Sequence, residues 1–209
     1  IVPWLLSYAV GTLLGVALLA LVPEALNQLA PARVFGALLT GILGLFIVEK
    51  FVLWRHCHTE DCDVHDASAT LILIGGALHN LADGAIIAAA VLVSVPLGIS
   101  TAIAVAAHQI PQEVGDFAIL LNAGFSRQRA LWLNAFSASS AVVGAVVVYA
   151  ATETLPDMLP YLLALAAGSF LYVAMSDLIP GLHKGETIGT GAIRQILLIV
   201  AGIGTILAL

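Results

Sequence analysis

Charge is what this chain lacks. Only 10% of its 209 residues are charged, against about a quarter in a soluble domain. With 61% hydrophobic residues, it cannot build a water-soluble surface, and lipid is the solvent that fits. Cysteine is scarce as well. Cys57 and Cys62 sit together in one polar loop, so no disulfide framework staples the fold. A basic patch for nucleic acid is absent, in keeping with a net charge of −6. There is no nucleotide-binding motif. There is no HExxH pair, the helical zinc-protease signature. The chain begins at Ile1 and enters an apolar span at once. This reads as a processed or trimmed N-terminus without a cleavable signal.

What the chain does have is a series of long apolar runs. A span needs ~20 apolar residues, and every backbone group in lipid must be paired internally. The runs lack the alternation of barrel strands and exceed their length, so they read as helices. The expected spans are 3–27, 32–54, 68–93, 96–123, 127–151, 157–181 and 190–209. The expected fold is therefore all-α, one polytopic transmembrane domain over 1–209, with a polar loop at 55–67. Ser126 is placed to cap the fifth span.

Six of the seven lysines and arginines fall at the second–third, fourth–fifth and sixth–seventh connections, and only Arg33 lies on the other side. The positive-inside rule puts those three connections in the cytoplasm and the C-terminus outside. Trp4, Trp54, Trp132 and Tyr161 suit interfacial anchoring, and Glu24 and Glu49 are expected to reach water at span ends. A repeat also emerges: Gly11 to Pro23 and Gly168 to Pro180 share Gly, Leu, Val, Ala, Leu and Pro in register. They lie in spans of opposite direction, the pattern of an inverted-repeat transporter.

Spans three and four carry polar groups near mid-membrane. The third has His79-Asn80-Leu81-Ala82-Asp83-Gly84, and the fourth has His108-Gln109-Ile110-Pro111-Gln112-Glu113-Val114-Gly115-Asp116. An ionisable residue at bilayer centre costs ~2.5–3.5 kcal/mol on insertion scales, so several together need a shared reason. Positions i, i+1 and i+4 fall within about 100° of a helix face. His79, Asn80 and Asp83 have this spacing, and so do His108, Gln109 and Gln112. Two antiparallel neighbours could converge these groups on one borderline divalent metal, since imidazole and carboxylate together suit such an ion. Neutral amides are weak ligands, which suits an ion that must be released. Pro111 removes a backbone donor and is expected to kink the helix there. Gly75, Gly76 and Gly84 are expected to allow close helix approach.

These two segments resemble the HNxxDG and HExPxExGD motifs of the ZIP (Zrt/Irt-like) family of metal transporters. Leu21-Val22-Pro23-Glu24 and Glu49-Lys50 fit the same pattern. The resemblance implies eight helices with both termini outside, so the seven spans here match helices two to eight. It implies that His79, Asn80, Asp83, His108, Gln109 and Gln112 hold the transported ion: zinc first, with cadmium, iron or manganese as alternatives. It also implies import toward the cytoplasm, a homodimer, and movement of one helix group. No resident cofactor is implied. Gln109 stands where the family usually has an acid, and Ala20 where a His is frequent. Glu113 and Asp116, spaced i, i+3, are further pathway candidates, as is Asp177. His56, Cys57, His58, Cys62 and His65 either capture metal at the cytoplasmic exit or form a solvated connection. Two rivals remain. One is an intramembrane zinc hydrolase using His79, Asp83 and His108, with Glu113 acting on bound water. The other is a metal-regulated receptor without flux, which the lack of a sizeable soluble domain disfavours.

Overall fold

The computed structural model describes residues 2–54, 64–183 and 190–209, with side chains described at 4–50, 73–155, 157–183 and 191–209. His56, Cys57, His58 and Cys62 lie outside the described residues, and the side chains of Trp54 and His65 are also outside them. All regular structure among the described residues is helical. α1 (Val2–Gly15) continues through a π-helical segment, Val16–Leu21, into α2 (Val22–Gln28). α3 is Pro31–Trp54, α4 Val64–Val93, α5 Val95–Asn122 and α6 Arg127–Thr154. A 3₁₀ turn, Pro156–Met158, leads into α7 (Leu159–Tyr172), a second π segment, Val173–Leu178, and α8 (Ile179–His183). α9 is Thr190–Leu207.

The described residues thus make seven helical rods, as expected. α4 starts at Val64 rather than 68, so His65 belongs to a helix and not to the preceding connection. Five rods are long and apolar enough to cross a membrane, and α9 contributes a shorter apolar stretch, Gly191–Leu207. α5 is not among the five, and the polar residues at its middle explain why. Its Pro111 is accommodated inside a helix that continues to Asn122. Ser126 caps α6 as expected, its Oγ accepting from the Arg129 backbone N–H at 3.4 Å. The tight turn before it uses Gly124 at φ +88°, a left-handed conformation that glycine adopts without steric cost.

Tight helix contacts fix the polarity of the bundle. A Cβ on Gly11 would collide with the Ile199 carbonyl, and one on Gly15 would abut Ile203 and Ile206, so α1 and α9 run side by side and parallel. Gly168 meets the Leu38 carbonyl and Gly41 that of Leu165, and the bonds Arg33 to Tyr161 and, further along, Tyr172 to Glu49 make α7 and α3 parallel. In α4 and α6, Gly84 packs on Ala141 and Gly144 on Leu81, and Leu73 to Ala77 advances with Ser137 to Ser140, so this pair is parallel too. Ser137 and Ser140 of α6 add hydrogen bonds to the carbonyls of Leu73 and Ala77 at 3.2 and 2.6 Å. Small residues let helix backbones approach where lipid offers no hydrophobic drive between them. Each parallel pair joins rods of the same parity, as alternation of direction from rod to rod requires. Gly84 serves close approach as the sequence suggests, and Gly76 abuts Ser137. Gly75 does not: nothing lies within 4 Å of where its Cβ would be, because it points away from α6.

The internal repeat is visible in the backbone. The two π segments begin at Val16 and Val173 and end at Leu21 and Leu178, the same register as the aligned sequences. Each is followed by a proline, Pro23 or Pro180. A proline ring clashes with the carbonyl four residues back, and a π turn re-routes the local bonding there. The paired contacts repeat too, Gly11 on α9 corresponding to Gly168 on α3. Between the two repeats lies the main core, with Leu13, Val16, Leu21, Leu163 and Phe170 buried.

Candidate metal centre

α4 and α5 are antiparallel neighbours joined by the short Ser94 link, whose Oγ caps α5 by accepting from the Leu97 N–H at 3.3 Å. Their polar segments therefore meet near the middle of both helices. His79 Nε2 lies 3.3 Å from His108 Nε2, and Asp83 Oδ2 lies 3.5 Å from the first and 3.4 Å from the second. These three are the metal-ligating cluster found among the described residues. A tetrahedral ion with ligand bonds of ~2.0–2.2 Å separates its ligands by ~3.3–3.6 Å. All three edges of this triangle fall in that range.

The local chemistry agrees with the spacing. His108 Nδ1 is 3.0 Å from the Ala104 carbonyl. A carbonyl only accepts, so Nδ1 is assigned the proton and Nε2 keeps its lone pair, the usual arrangement for a metal-ligating histidine. Asp83 is 4% exposed, and its Oδ2 is buried without a hydrogen-bond partner. Although it is within ion-pair distance of both imidazoles, it bonds to neither. A buried carboxylate oxygen left unpaired is costly; one aimed at the centre of a triangle of donors has a use there. Phe170 of α7, itself buried, packs edge-on to His108 at 6.1 Å between ring centroids.

The remaining sequence candidates separate into groups. Asn80, Gln109 and Glu113 form a network beside the triad. Glu113 Oε1 accepts from Asn80 Nδ2 at 3.1 Å and from Gln109 Nε2 at 2.8 Å. Gln109 Nε2 also donates to Asn80 Oδ1, while Gln109 Oε1 is buried and unpartnered. Gln112 is half-buried and makes no hydrogen bond among the described residues. Asp116 is half-buried across from Gly76. Asp177 is exposed on the second π segment, away from the triad. Glu49 does not simply reach water: Tyr172 of α7 donates its hydroxyl to Glu49 Oε2. Glu24 does sit among exposed groups, bonded to Asn27 and Gln28.

Sequence reasoning missed Asn134, which donates from α6 to the Glu113 backbone carbonyl at 3.0 Å, and it missed Phe170. A single Asn in the fifth span was the only available signal for the former. Nothing in the spacing marks the latter.

Comparison with known proteins follows the same lines. The family model described as ZIP Zinc transporter matches residues 54–209. Zinc transporter ZIP13 of Pongo abelii is 33% identical, over 95% of this chain and 64% of the relative. Zinc transporter YKE4 of Saccharomyces cerevisiae is 31% identical, over 84% and 60%. Zinc transporter ZIP4 of Homo sapiens is 43% identical over 54% of this chain, but only 18% of its own length. The chain thus spans less than two thirds of each of these relatives. With the family model covering most of its length, and both polar helices within the match, the chain belongs to the ZIP zinc transporter family.

Proposed function

We propose that this protein carries a divalent transition metal across the membrane, zinc first, with cadmium, iron or manganese as further cargo. The observation that carries the reading is the triangle of His79 Nε2, Asp83 Oδ2 and His108 Nε2, with edges of 3.3 to 3.5 Å. Three ligands leave a fourth tetrahedral position for water or the next ligand. That open position favours exchange over the tight retention of a closed structural site. Asn80 and Gln109 act beside the triad as weak oxygen ligands that hand the ion on. Gln112, Glu113 and Asp116 continue the polar face of α5 away from it.

In this reading the connections 55–63, 123–126 and 184–189 face the cytoplasm, and the ion moves toward them. The protein resides in a plasma or inner membrane and works as a homodimer. The hydrolase alternative gains no support, because Glu113, its required base, is held by two amide donors.

The test is uptake into proteoliposomes loaded with a metal-sensitive dye, run across zinc, cadmium, iron and manganese. Wild type accumulates zinc, and Asp83→Ala does not. Equal accumulation by the two proteins would remove the triad from the transport path. Labelling of Cys57 and Cys62 from one side of sealed vesicles tests the orientation, and chemical cross-linking tests the dimer.

A further inference from the structure

The seam between α3 and α7 opens away from the triad, toward lipid. The two helices start at the same end of the bundle, and Arg33 Nη1 donates to the Tyr161 hydroxyl at 3.2 Å near those starts. Two cavities of ≈ 410 Å³ each meet at this pair. One is polar and lined by Gln28, Leu29, Arg33, Asp157, Pro160 and Tyr161. The other is apolar and runs along Gly36, Ala37 and Thr40 of α3 and Leu162 and Leu165 of α7. Gly36 keeps it open, since nothing lies within 4 Å of where its Cβ would stand. The one hydroxyl on its α3 wall, that of Thr40, is bonded back to the Gly36 carbonyl at 2.9 Å. Thr40 lies ~10 Å along the helix axis from Arg33 at 1.5 Å per residue, so the groove descends from the interface into hydrocarbon.

The charges suit a particular occupant. Arg33 and Asp157 line the same polar cavity, yet neither forms an ion pair among the described residues. Tyr161 takes one of the five side-chain donors of Arg33. α3 and α7 both begin beside this cavity, and the positive ends of their dipoles add to the guanidinium. A phosphate is matched on one side and a cation on the other.

We propose that this seam binds a phospholipid whose headgroup carries both a phosphate and a primary ammonium. The phosphate sits on Arg33 and the Tyr161 hydroxyl, the ammonium on Asp157, and one acyl chain lies in the groove from Gly36 to Leu165. A primary ammonium offers three N–H donors to the carboxylate; a trimethylated one offers none. The lipid would bridge α3 to α7 at their outer ends and leave the triad untouched.

The experiment is native mass spectrometry of the full chain in detergent. Phosphatidylethanolamine, phosphatidylcholine and phosphatidylglycerol of identical acyl chains are supplied at equal concentration. Wild type is expected to retain the ethanolamine lipid about tenfold better than the choline lipid, the worth of one hydrogen bond to a charged group. Arg33→Gln should lower retention of all three. Asp157→Asn, an exposed and conservative change, should erase the preference for ethanolamine over choline. Thr40→Trp should lower retention without changing the headgroup order. Equal retention of the three lipids by wild type would overturn the proposal. So would preference for the glycerol lipid, or an ethanolamine preference that survives Asp157→Asn.

Discussion

Two polar clusters lie side by side between α4 and α5, and they differ in whether their carboxylate is satisfied. Asn80, Gln109 and Glu113 donate and accept among one another, so the Glu113 carboxylate already has two amide donors. His79, Asp83 and His108 converge without closing: Asp83 Oδ2 is buried and bonds to nothing. The same helices and similar residue types thus give one cluster whose carboxylate is engaged by amide donors and one whose carboxylate is open to a cation. The difference teaches that polar residues in a membrane helix are not by themselves a binding site. The unpaired charged acceptor is the mark, since Gln109 Oε1 is also buried without a partner but belongs to a neutral amide.

The comparison can be broken from either side. The largest effect is expected from His108→Ala. It removes one corner of the triangle and the Ala104 hydrogen bond that orients it. Changes to groups merely supporting a metal ligand cost ~10–100-fold in affinity or activity, so loss of the ligand itself should lower zinc uptake by about 100-fold or more. Uptake within a few fold of wild type would mean the triangle is incidental.

A smaller effect of opposite sign is expected from Gln109→Glu. This change puts a second carboxylate beside Glu113 and deletes the amide donor that Asn80 and Glu113 share. The closed cluster should become cation-binding, with zinc affinity rising about tenfold, the equivalent of ~1.4 kcal/mol, and release slowing in step. Calorimetry and single-turnover efflux measure the two. An unchanged affinity and rate would show that Gln109 does not face the ion path.

The smallest is expected from Glu113→Gln, which keeps an acceptor for Asn80 and Gln109 but removes the charge. Because this carboxylate is already bonded by amides, uptake should fall only about two- to fivefold, the loss of one charge-assisted bond's surplus strength. A fall as deep as that of His108→Ala would place Glu113 in the ion's own coordination, and the two clusters would have to be treated as one.

Much of this was legible in the sequence, because a bilayer imposes length and composition directly. The seven rods, the Ser126 cap and the repeat at Gly11 and Gly168 follow from apolar run length, local turn chemistry and direct comparison of segments. His79 and His108 could be brought together from helical spacing and the short Ser94 link alone. Other features depend on neighbours that spacing does not specify. Gln112 shares the i+4 position with Asp83 but engages nothing, because convergence requires a partner across the helix pair as well as the right face. Glu49 reads from the sequence as a solvated end group, and Tyr172, 123 positions later, engages it instead. The direction in which Gly75 points depends on where α6 packs. The π segments leave only a proline as a sign, and the widened turn before it is set by packing.

The most direct measurement is an anomalous difference map from crystals of the full chain grown with zinc, collected on both sides of the zinc absorption edge. One peak between α4 and α5, within ~2.0–2.2 Å of His79 Nε2, His108 Nε2 and a carboxylate oxygen of Asp83, is the expected result. A zinc peak elsewhere in the bundle, with these three side chains uncoordinated, would contradict the assignment of the ion to this triangle.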